Sequence, residues 1–238
     1  MNGPLITGAI LAGGRGTRMG GLDKGLVDFD GRPLIEHVLT RLRPQVDDIV
    51  IVANRNLARY YEYDLTVLSD DQPDYPGPLA GIESALSRAT TPYVLVVPCD
   101  GPHLPHDLAT RACEAFATTG AELAVAHDGV RLQPLFVLLH ASLLPDLRRF
   151  LDDGGRSVRE WYNRHAIAAV DFSDCADAFV NLNTPDDLAA CSPRPSGEGP
   201  GVRVGTPVMS DTTTRPRLRA PSPQPLSRRA RGFERDAV

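Results

Sequence analysis

Short apolar runs alternate with stretches of helical periodicity from residue 5 to residue 191. Runs such as residues 48–53 and 93–97 are rich in β-branched side chains, which is typical of strands buried on both faces. Between them, stretches such as residues 33–42 carry apolar side chains three and four positions apart, as on one face of a helix. The alternation predicts a mostly parallel central sheet with helices on both faces, which is a three-layer α/β sandwich.

The same patterns give bounds for the remaining elements. Strands are expected at residues 5–11, 65–68, 123–126, 135–139 and 166–172, and helices at 79–88, 105–116, 142–151, 157–164 and after 184. Ligands of such sheets bind beyond the carboxyl ends of the strands. Three segments with polar residues follow predicted strand ends: a glycine-rich loop after the first strand, Asn54 after the second, and Asp100 after the strand at 93–97.

The composition of the chain changes at Ser192. Residues 192–238 contain eight prolines and nine arginines and show almost no apolar periodicity. Such a segment buries too little apolar surface to offset the entropy of ordering, so we predict a folded domain at 1–191 and a disordered tail at 192–238. The whole chain has a net charge of −5, and the basic tail leaves the folded part strongly acidic. An acidic domain argues against nucleic-acid binding.

Cysteine usage and hydropathy exclude further classes. The four cysteines, Cys99, Cys113, Cys175 and Cys191, form no CxxC pair, so neither a disulfide framework nor a zinc site is expected. No apolar run approaches the ~20 residues of a membrane span, and the N-terminus has no basic signal-peptide region. We therefore expect a cytoplasmic protein that contacts no membrane. We also expect a monomer.

The glycine-rich loop is the segment LAGGRGTRMGGLDKG at residues 11–25. Glycines let the backbone approach phosphate groups and direct N–H groups at them. Arg15 and Arg18 add charge that neutralises a triphosphate, and Lys24 reaches a phosphate as a point charge. The spacing does not fit a Walker A loop, because Gly25 follows the lysine, or a dinucleotide fingerprint, which requires glycine at Met19. The loop therefore predicts a nucleoside triphosphate site of another class.

Asp100 comes directly after the apolar strand at 93–97 and the pair Pro98-Cys99. Mg²⁺ prefers oxygen ligands and bridges substrate phosphates through one or two carboxylates. Asp100 is therefore the candidate metal ligand. The alternative is an aspartate that forms a turn with Gly101.

The glycine loop resembles the signature of molybdenum cofactor guanylyltransferases, a family of nucleotidyltransferases with a Rossmann-like core. The segments 74–81, 98–100, 171–174 and 177–185 resemble the same family, so the resemblance covers roughly residues 5–190. It implies a nucleotidyltransferase domain at 1–191 that transfers GMP from GTP to molybdenum-molybdopterin with Mg²⁺. It also implies molybdoenzymes or cofactor-delivery proteins as further partners.

The resemblance assigns roles to individual residues. It implies catalysis by Arg18, Lys24 and Asp100, with Asp100 also binding the metal. It implies GTP contacts at Leu11, Ala12, Gly13, Gly14, Lys24, Asp70 and Asp100, and molybdopterin contacts at Gly77, Gly81, Arg156, Asn181 and Asn183. Where the family has a base-contacting asparagine this chain has Val52, and Asn54 is the candidate to take its place.

Structural roles remain open for several of these positions. Gly77 and Gly81 equally suit a stiff connection into a helix, and Arg156 equally suits a surface charge. Asn181 and Asn183 equally suit turn and cap chemistry.

The implied reaction is an in-line displacement in which an acceptor phosphate oxygen attacks the α-phosphorus and pyrophosphate leaves. A phosphate monoester is already an anion near neutral pH, so the reaction needs no side-chain nucleophile. Loop amides, Arg18, Lys24 and Mg²⁺ on Asp100 would supply positioning and charge. The open alternatives are CTP with molybdopterin, a nucleoside triphosphate with a sugar phosphate, and a protein that binds a nucleotide or cofactor without turnover.

Overall fold

The computed structural model of the chain describes residues 3–12, 22–69, 77–182 and 187. All of these residues belong to one compact unit, Met1–Arg194. The predicted tail at 192–238 and the predicted helix after 184 lie outside the described residues, apart from Asp187. None of the helices in the described ranges is long and apolar enough to cross a bilayer.

Nine strands and six α-helices are present in these ranges. The strands are β1 (Ile6–Leu11), β2 (Asp28–Phe29), β3 (Arg32–Pro33), β4 (Asp48–Val52), β5 (Thr66–Leu68), β6 (Tyr93–Pro98), β7 (Leu123–His127), β8 (Leu132–His140) and β9 (Ile167–Asp171). The helices are α1 (Leu34–Leu42), α2 (Leu57–Tyr61), α3 (Pro78–Arg88), α4 (Leu108–Thr119), α5 (Leu144–Asp152) and α6 (Val158–Tyr162).

Seven of these strands form one sheet in the order β5-β4-β1-β6-β8-β7-β9. Strand β8 runs antiparallel to both neighbours, and the other pairings are parallel. One face of the sheet packs against α1, α2 and α4, and the other packs against α3, α5 and α6. The predicted three-layer sandwich with a mostly parallel sheet is therefore confirmed.

Parallel pairing brings the carboxyl ends of four strands to one edge of the sheet. Just beyond the ends of β1 and β4, Ala12 N donates to Val52 O at 2.8 Å, and Ala53 N donates to the last residue of β5 at 2.8 Å. On the other side of β1, Cys99 N donates to Leu11 O at 3.1 Å. The segments that follow β1, β4 and β6 therefore start beside one another.

Several predicted bounds need correction. The helix predicted at 105–116 begins at Leu108, because the side chain of Gln45 occupies its start: Gln45 Nε2 donates to Pro105 O at 2.8 Å, and Ala109 N donates to Gln45 Oε1 at 3.1 Å. The helix predicted at 142–151 opens with a 3₁₀ turn at Ala141–Leu143.

The other corrections are small in extent. The strand predicted at 135–139 is longer, Leu132–His140, and the helix predicted at 157–164 covers only Val158–Tyr162. The short hairpin of β2 and β3 was not predicted. Its turn has positive φ at Asp30 and Gly31, as Asp-Gly hairpin turns require, but two residues a strand are too few for a period to be visible.

Candidate active site

Lys24 and Asp100 form an ion pair across the glycine loop and the end of β6. Lys24 opens the 3₁₀ turn Lys24–Leu26, and Asp100 lies two residues beyond Pro98. The two groups are 3.0 Å apart, from Lys24 Nζ to Asp100 Oδ2. Their side chains are 23% and 11% exposed, so the pair is largely shielded and still reachable from solvent. The structure thus brings together two of the three residues predicted to be catalytic.

The backbone around Asp100 is held on both sides. Its carbonyl oxygen accepts from Leu182 N at 3.0 Å, which ties the segment after β9 to this turn. A Cβ atom on Gly101 would stand 2.9 Å from the ring of Phe136, so a side chain at 101 would displace the turn or the ring. Asp100 Oδ1 accepts no hydrogen bond from any residue that the structure describes. Among the described residues, Lys24 is therefore the side chain that bonds the Asp100 carboxylate.

The carboxyl ends of β1 and β4 pack closely against α3. A Cβ atom on Gly81 of α3 would lie 3.0 Å from Leu11 Cδ2 and 3.6 Å from Val52 Cγ1. Glycine at 81 therefore lets α3 rest directly on β1 and β4. Val52 is 2% exposed and belongs to the core on that face of the sheet, so its side chain packs against a helix. Asn54 lies beyond Val52, where Ser69 Oγ donates to its Oδ1 at 3.4 Å.

The predicted acceptor residues occupy different settings. Asn181 lies next to the Asp100 turn, with its Oδ1 3.7 Å from the Cβ position of Gly101. Gly77 precedes α3 with a φ of 94°, a conformation that favours glycine. Arg156 Nη1 donates to Leu151 O at 2.8 Å and to Gly155 O at 2.7 Å, where it satisfies carbonyls at the end of α5.

The remaining predicted site residues, Gly13, Gly14, Arg18, Asp70 and Asn183, lie outside the described residues. Arg15 of the glycine loop lies outside them too. The structure therefore describes Lys24 and Asp100 of the predicted triphosphate site, together with Leu11 and Ala12, which were also predicted to contact GTP.

Sequence reasoning missed a buried polar cluster next to Lys24. Asp23 is 8% exposed and accepts hydrogen bonds from Tyr60 Oη at 2.6 Å and from Asn56 Nδ2 at 3.1 Å. Burial, followed by the bond to Asp23, raises the pKa of Tyr60 above its ordinary value. The only signal in the sequence was the position of Asp23 directly before the lysine, because its two donors come from α2 and the residue before it.

Comparison with known proteins identifies the class that this fold and site define. A family model described as a MobA-like NTP transferase domain matches residues 8–170. A molybdenum cofactor guanylyltransferase of Shewanella halifaxensis is 49% identical over 181 residues, covering 76% of this chain and 90% of the relative. The enzyme of that name from an Acidovorax species is 48% identical over 211 residues, covering 83% and 97%.

A solved structure shows the same fold. The molybdopterin-guanine dinucleotide biosynthesis protein A of Archaeoglobus fulgidus aligns with a TM-score of 0.65 at 24% identity, covering 77% of this chain and 95% of that one. The chain belongs to the MobA-like NTP transferase family. The resemblance seen in its glycine loop and the prediction of a nucleotidyltransferase are both confirmed.

Proposed function

We propose that this chain transfers GMP from GTP to molybdenum-molybdopterin, giving the guanine dinucleotide form of the cofactor and pyrophosphate. The observation that carries the proposal is the Lys24–Asp100 pair, 3.0 Å apart at the edge where β1 and β6 end. Support for the substrates comes from the curated relatives, which bear the name molybdenum cofactor guanylyltransferase and are about half identical over most of this chain.

The proposed chemistry is a displacement at the α-phosphorus of GTP. An oxygen of the acceptor's phosphate forms the new bond to phosphorus, the bond from that phosphorus to the bridging oxygen of the β-phosphate breaks, and pyrophosphate leaves with the electron pair. Lys24 stabilises the negative charge that accumulates on phosphate oxygens, because its Nζ lies in a largely water-excluded position. Arg18 adds a second positive charge from the glycine loop.

The residues present suit a magnesium ion at Asp100. A single carboxylate together with substrate phosphates is a common set of magnesium ligands, and Asp100 Oδ1 has no donor within the described part of the chain. Clusters of three or more His, Cys, Asp or Glu side chains that would form an all-protein metal cage are absent from these residues. When bound, the ion would neutralise charge on the phosphates and on the leaving pyrophosphate.

Base recognition in this proposal is assigned to the segment after β4. Val52 offers no side-chain donor or acceptor, and it is buried against α3. Asn54 carries a carboxamide two residues further on, beyond the end of the strand. We assign the remaining GTP contacts to Leu11, Ala12, Gly13, Gly14 and Asp70, and the acceptor contacts to Gly77, Gly81, Arg156, Asn181 and Asn183.

The finer assignments of location and extent belong to the same proposal. Residues 1–191 form the catalytic domain and act as a cytoplasmic monomer, and turnover does not need residues 192–238, which lie outside the described residues. Molybdoenzymes or cofactor-delivery proteins receive the product. A chain truncated after residue 191 should keep the kcat and KM of the full chain, and a large loss of kcat would assign the tail a role.

The test is product identification by mass spectrometry. Purified protein with Mg²⁺ and molybdenum-loaded molybdopterin is offered GTP and CTP together. We expect a guanylated product and pyrophosphate. A cytidylated product would keep the reaction class and overturn the assignment of the base. If the protein binds nucleotide but forms neither product, and sugar phosphates also fail as acceptors, the proposed transfer is wrong.

A further inference from the structure

The hydroxyl group of Tyr60 is buried against the segment that carries Lys24. Tyr60 lies in α2 and is completely buried. Its Oη donates to Asp23 Oδ1 at 2.6 Å. A Cβ atom on Gly25 would stand 2.6 Å from Tyr60 Oη. One hydroxyl group therefore lies against the residues on both sides of Lys24.

Asp23 stands in the position of a helix cap but bonds elsewhere. It directly precedes the 3₁₀ turn Lys24–Leu26, and its main-chain oxygen accepts from Leu26 N at 3.0 Å. Aspartate in such a position normally accepts hydrogen bonds from the first free N–H groups of the turn. Here the carboxylate makes no such bond and accepts from Tyr60 and Asn56 instead. Two hydrogen bonds from a distant part of the chain thus take the place of the local capping bond.

The residue before α2 is shaped for the same contact. Asn56 has a φ of 51°, in the left-handed region. A residue other than glycine persists there only when its surroundings hold it, although asparagine tolerates it better than most. Its Nδ2 donates to Asp23 Oδ2 at 3.1 Å. Asn56, directly before α2, and Tyr60, one turn later, thus both donate to the carboxylate of Asp23. We name Asp23, Asn56 and Tyr60 the Asp23 cluster.

A buried carboxylate is stable only when donors satisfy it, so the Asp23 cluster resists rearrangement. Tyr60 remains a donor throughout the ordinary pH range, because burial and the bond to Asp23 both raise its pKa. Lysine, by contrast, carries its charge on a long stem with many rotamers. The position of the Lys24 ammonium group at a phosphate therefore depends on how firmly the backbone of Lys24 is held.

We propose that Asp23 and Tyr60 are positioning residues that hold the backbone of Lys24 for contact with the triphosphate of the nucleotide, an inference that rests on the proposed function. Tyr60 touches no substrate and acts through Lys24. The cluster fixes the backbone from which the lysine side chain starts, so the phosphate contact forms without a further loss of backbone freedom.

A double-mutant cycle tests whether Tyr60 acts through Lys24. GTP affinity is measured by calorimetry with Mg²⁺ for the wild type, Tyr60→Phe, Lys24→Ala and the double variant. We expect Tyr60→Phe to weaken GTP binding about tenfold, as loss of a hydrogen bond to a charged group does. In the Lys24→Ala background the same change should have almost no effect on GTP affinity. An equal loss in both backgrounds would overturn the proposal.

Tyr63→Phe is the matched control. The hydroxyl of Tyr63 also donates to a carboxylate, Glu36 Oε1 at 3.3 Å, and it lies on the same side of the sheet. Among the described residues its hydroxyl group bonds to Glu36 of α1 and not to Asp23, so GTP affinity should stay at the wild-type value. If Tyr63→Phe weakens binding as much as Tyr60→Phe does, the effect is general loosening of this layer and the proposal fails.

Urea unfolding shows that each variant is folded under the binding conditions. If Tyr60→Phe does not fold, Asn56→Gly enters the same cycle, since it removes the second donor to Asp23, suits the left-handed φ at this position and leaves the ring of Tyr60 in place. The cycle needs no acceptor. A wild type that binds GTP but forms no guanylated product contradicts the proposed function while the cycle still decides on the Asp23 cluster, and a wild type that binds no nucleotide overturns both.

Discussion

Asp100→Asn preserves the size of the side chain and removes its charge. Lys24 Nζ lies 3.0 Å from Asp100 Oδ2, and the two side chains are 23% and 11% exposed. At an effective dielectric constant of about 20, the direct attraction over that distance is about 5 kcal/mol, most of which desolvation offsets. The net change in the free energy of unfolding should therefore be about 1 kcal/mol, because the amide oxygen still accepts from Lys24.

The effect on catalysis should be much larger than the effect on stability. In the proposed function Asp100 binds a magnesium ion and orients Lys24, and loss of one group that stabilises charge in the transition state costs about 3 kcal/mol, or roughly a hundredfold in kcat/KM. The assay is pyrophosphate release with GTP and molybdopterin, run beside urea unfolding.

Glu83→Gln is the control for Asp100→Asn. It neutralises a carboxylate that is paired with Arg148 at 2.7 Å and is 25% exposed, on the outer layer of the fold. Its kcat/KM should match that of the wild type. A kcat/KM for Asp100→Asn within threefold of the wild type would refute the catalytic assignment, and equal losses in both variants would show a general effect of lost ion pairs.

Three further predictions concern packing and pH. Gly25→Ala places a Cβ atom 2.6 Å from Tyr60 Oη, so it should lower GTP affinity in the wild-type background and do so less in the Tyr60→Phe background, as measured by calorimetry; equal losses would show that the hydroxyl group is not what the new methyl group meets. Gln45→Ala removes both bonds at the start of α4 and should lower the free energy of unfolding by about 1–2 kcal/mol in urea titrations, whereas a variant as stable as the wild type would contradict this capping role. The hydrogen bond from Trp161 lowers the pKa of Asp146 below its ordinary value. A lowered folded-state pKa means that this contribution is present above the unfolded-state pKa and is lost as the pH falls through the folded-state pKa. Asp146→Asn should therefore be less stable than the wild type near pH 7, by about 1 kcal/mol, and the gap should close at strongly acidic pH; a gap that does not change with pH would rule out this linkage.

The core strands were predictable because their chemistry is local. Runs such as Asp48–Val52 and Tyr93–Pro98 carry consecutive β-branched residues, and their burial on both faces follows from that composition. The reversed direction of β8 was not predicted. It follows from the short connection between His127 and Leu132, because a parallel neighbour of β7 would need a crossover of about a dozen residues or more. The start of α4 was misplaced because a glutamine from elsewhere in the chain supplies its first bonds.

In the candidate site, too, residues in local motifs were predictable and contacts between distant segments were not. Lys24 and Asp100 were predicted because each follows a strand end in a motif that can be read directly, and parallel pairing then brings them together. Tyr60 was missed because its partner Asp23 is 37 positions away and nothing in α2 marks a tyrosine as a donor to the glycine loop. The sequence shows that Val52 replaces the family's base-contacting asparagine. The structure adds that Val52 packs in a contact between α3 and the sheet.

The close fit of Gly81 also links the two strand ends mechanically. Helix α3 rests on Leu11 of β1 and on Val52 of β4 through the same residue, with 3.0 Å and 3.6 Å to the position a Cβ atom would take. A tilt of α3 would therefore move the starting points of two loops at once, one leading to the proposed phosphate contacts and the other to the proposed base contact. Because position 81 has no side chain, one helix contacts both strands that lead to the proposed nucleotide site.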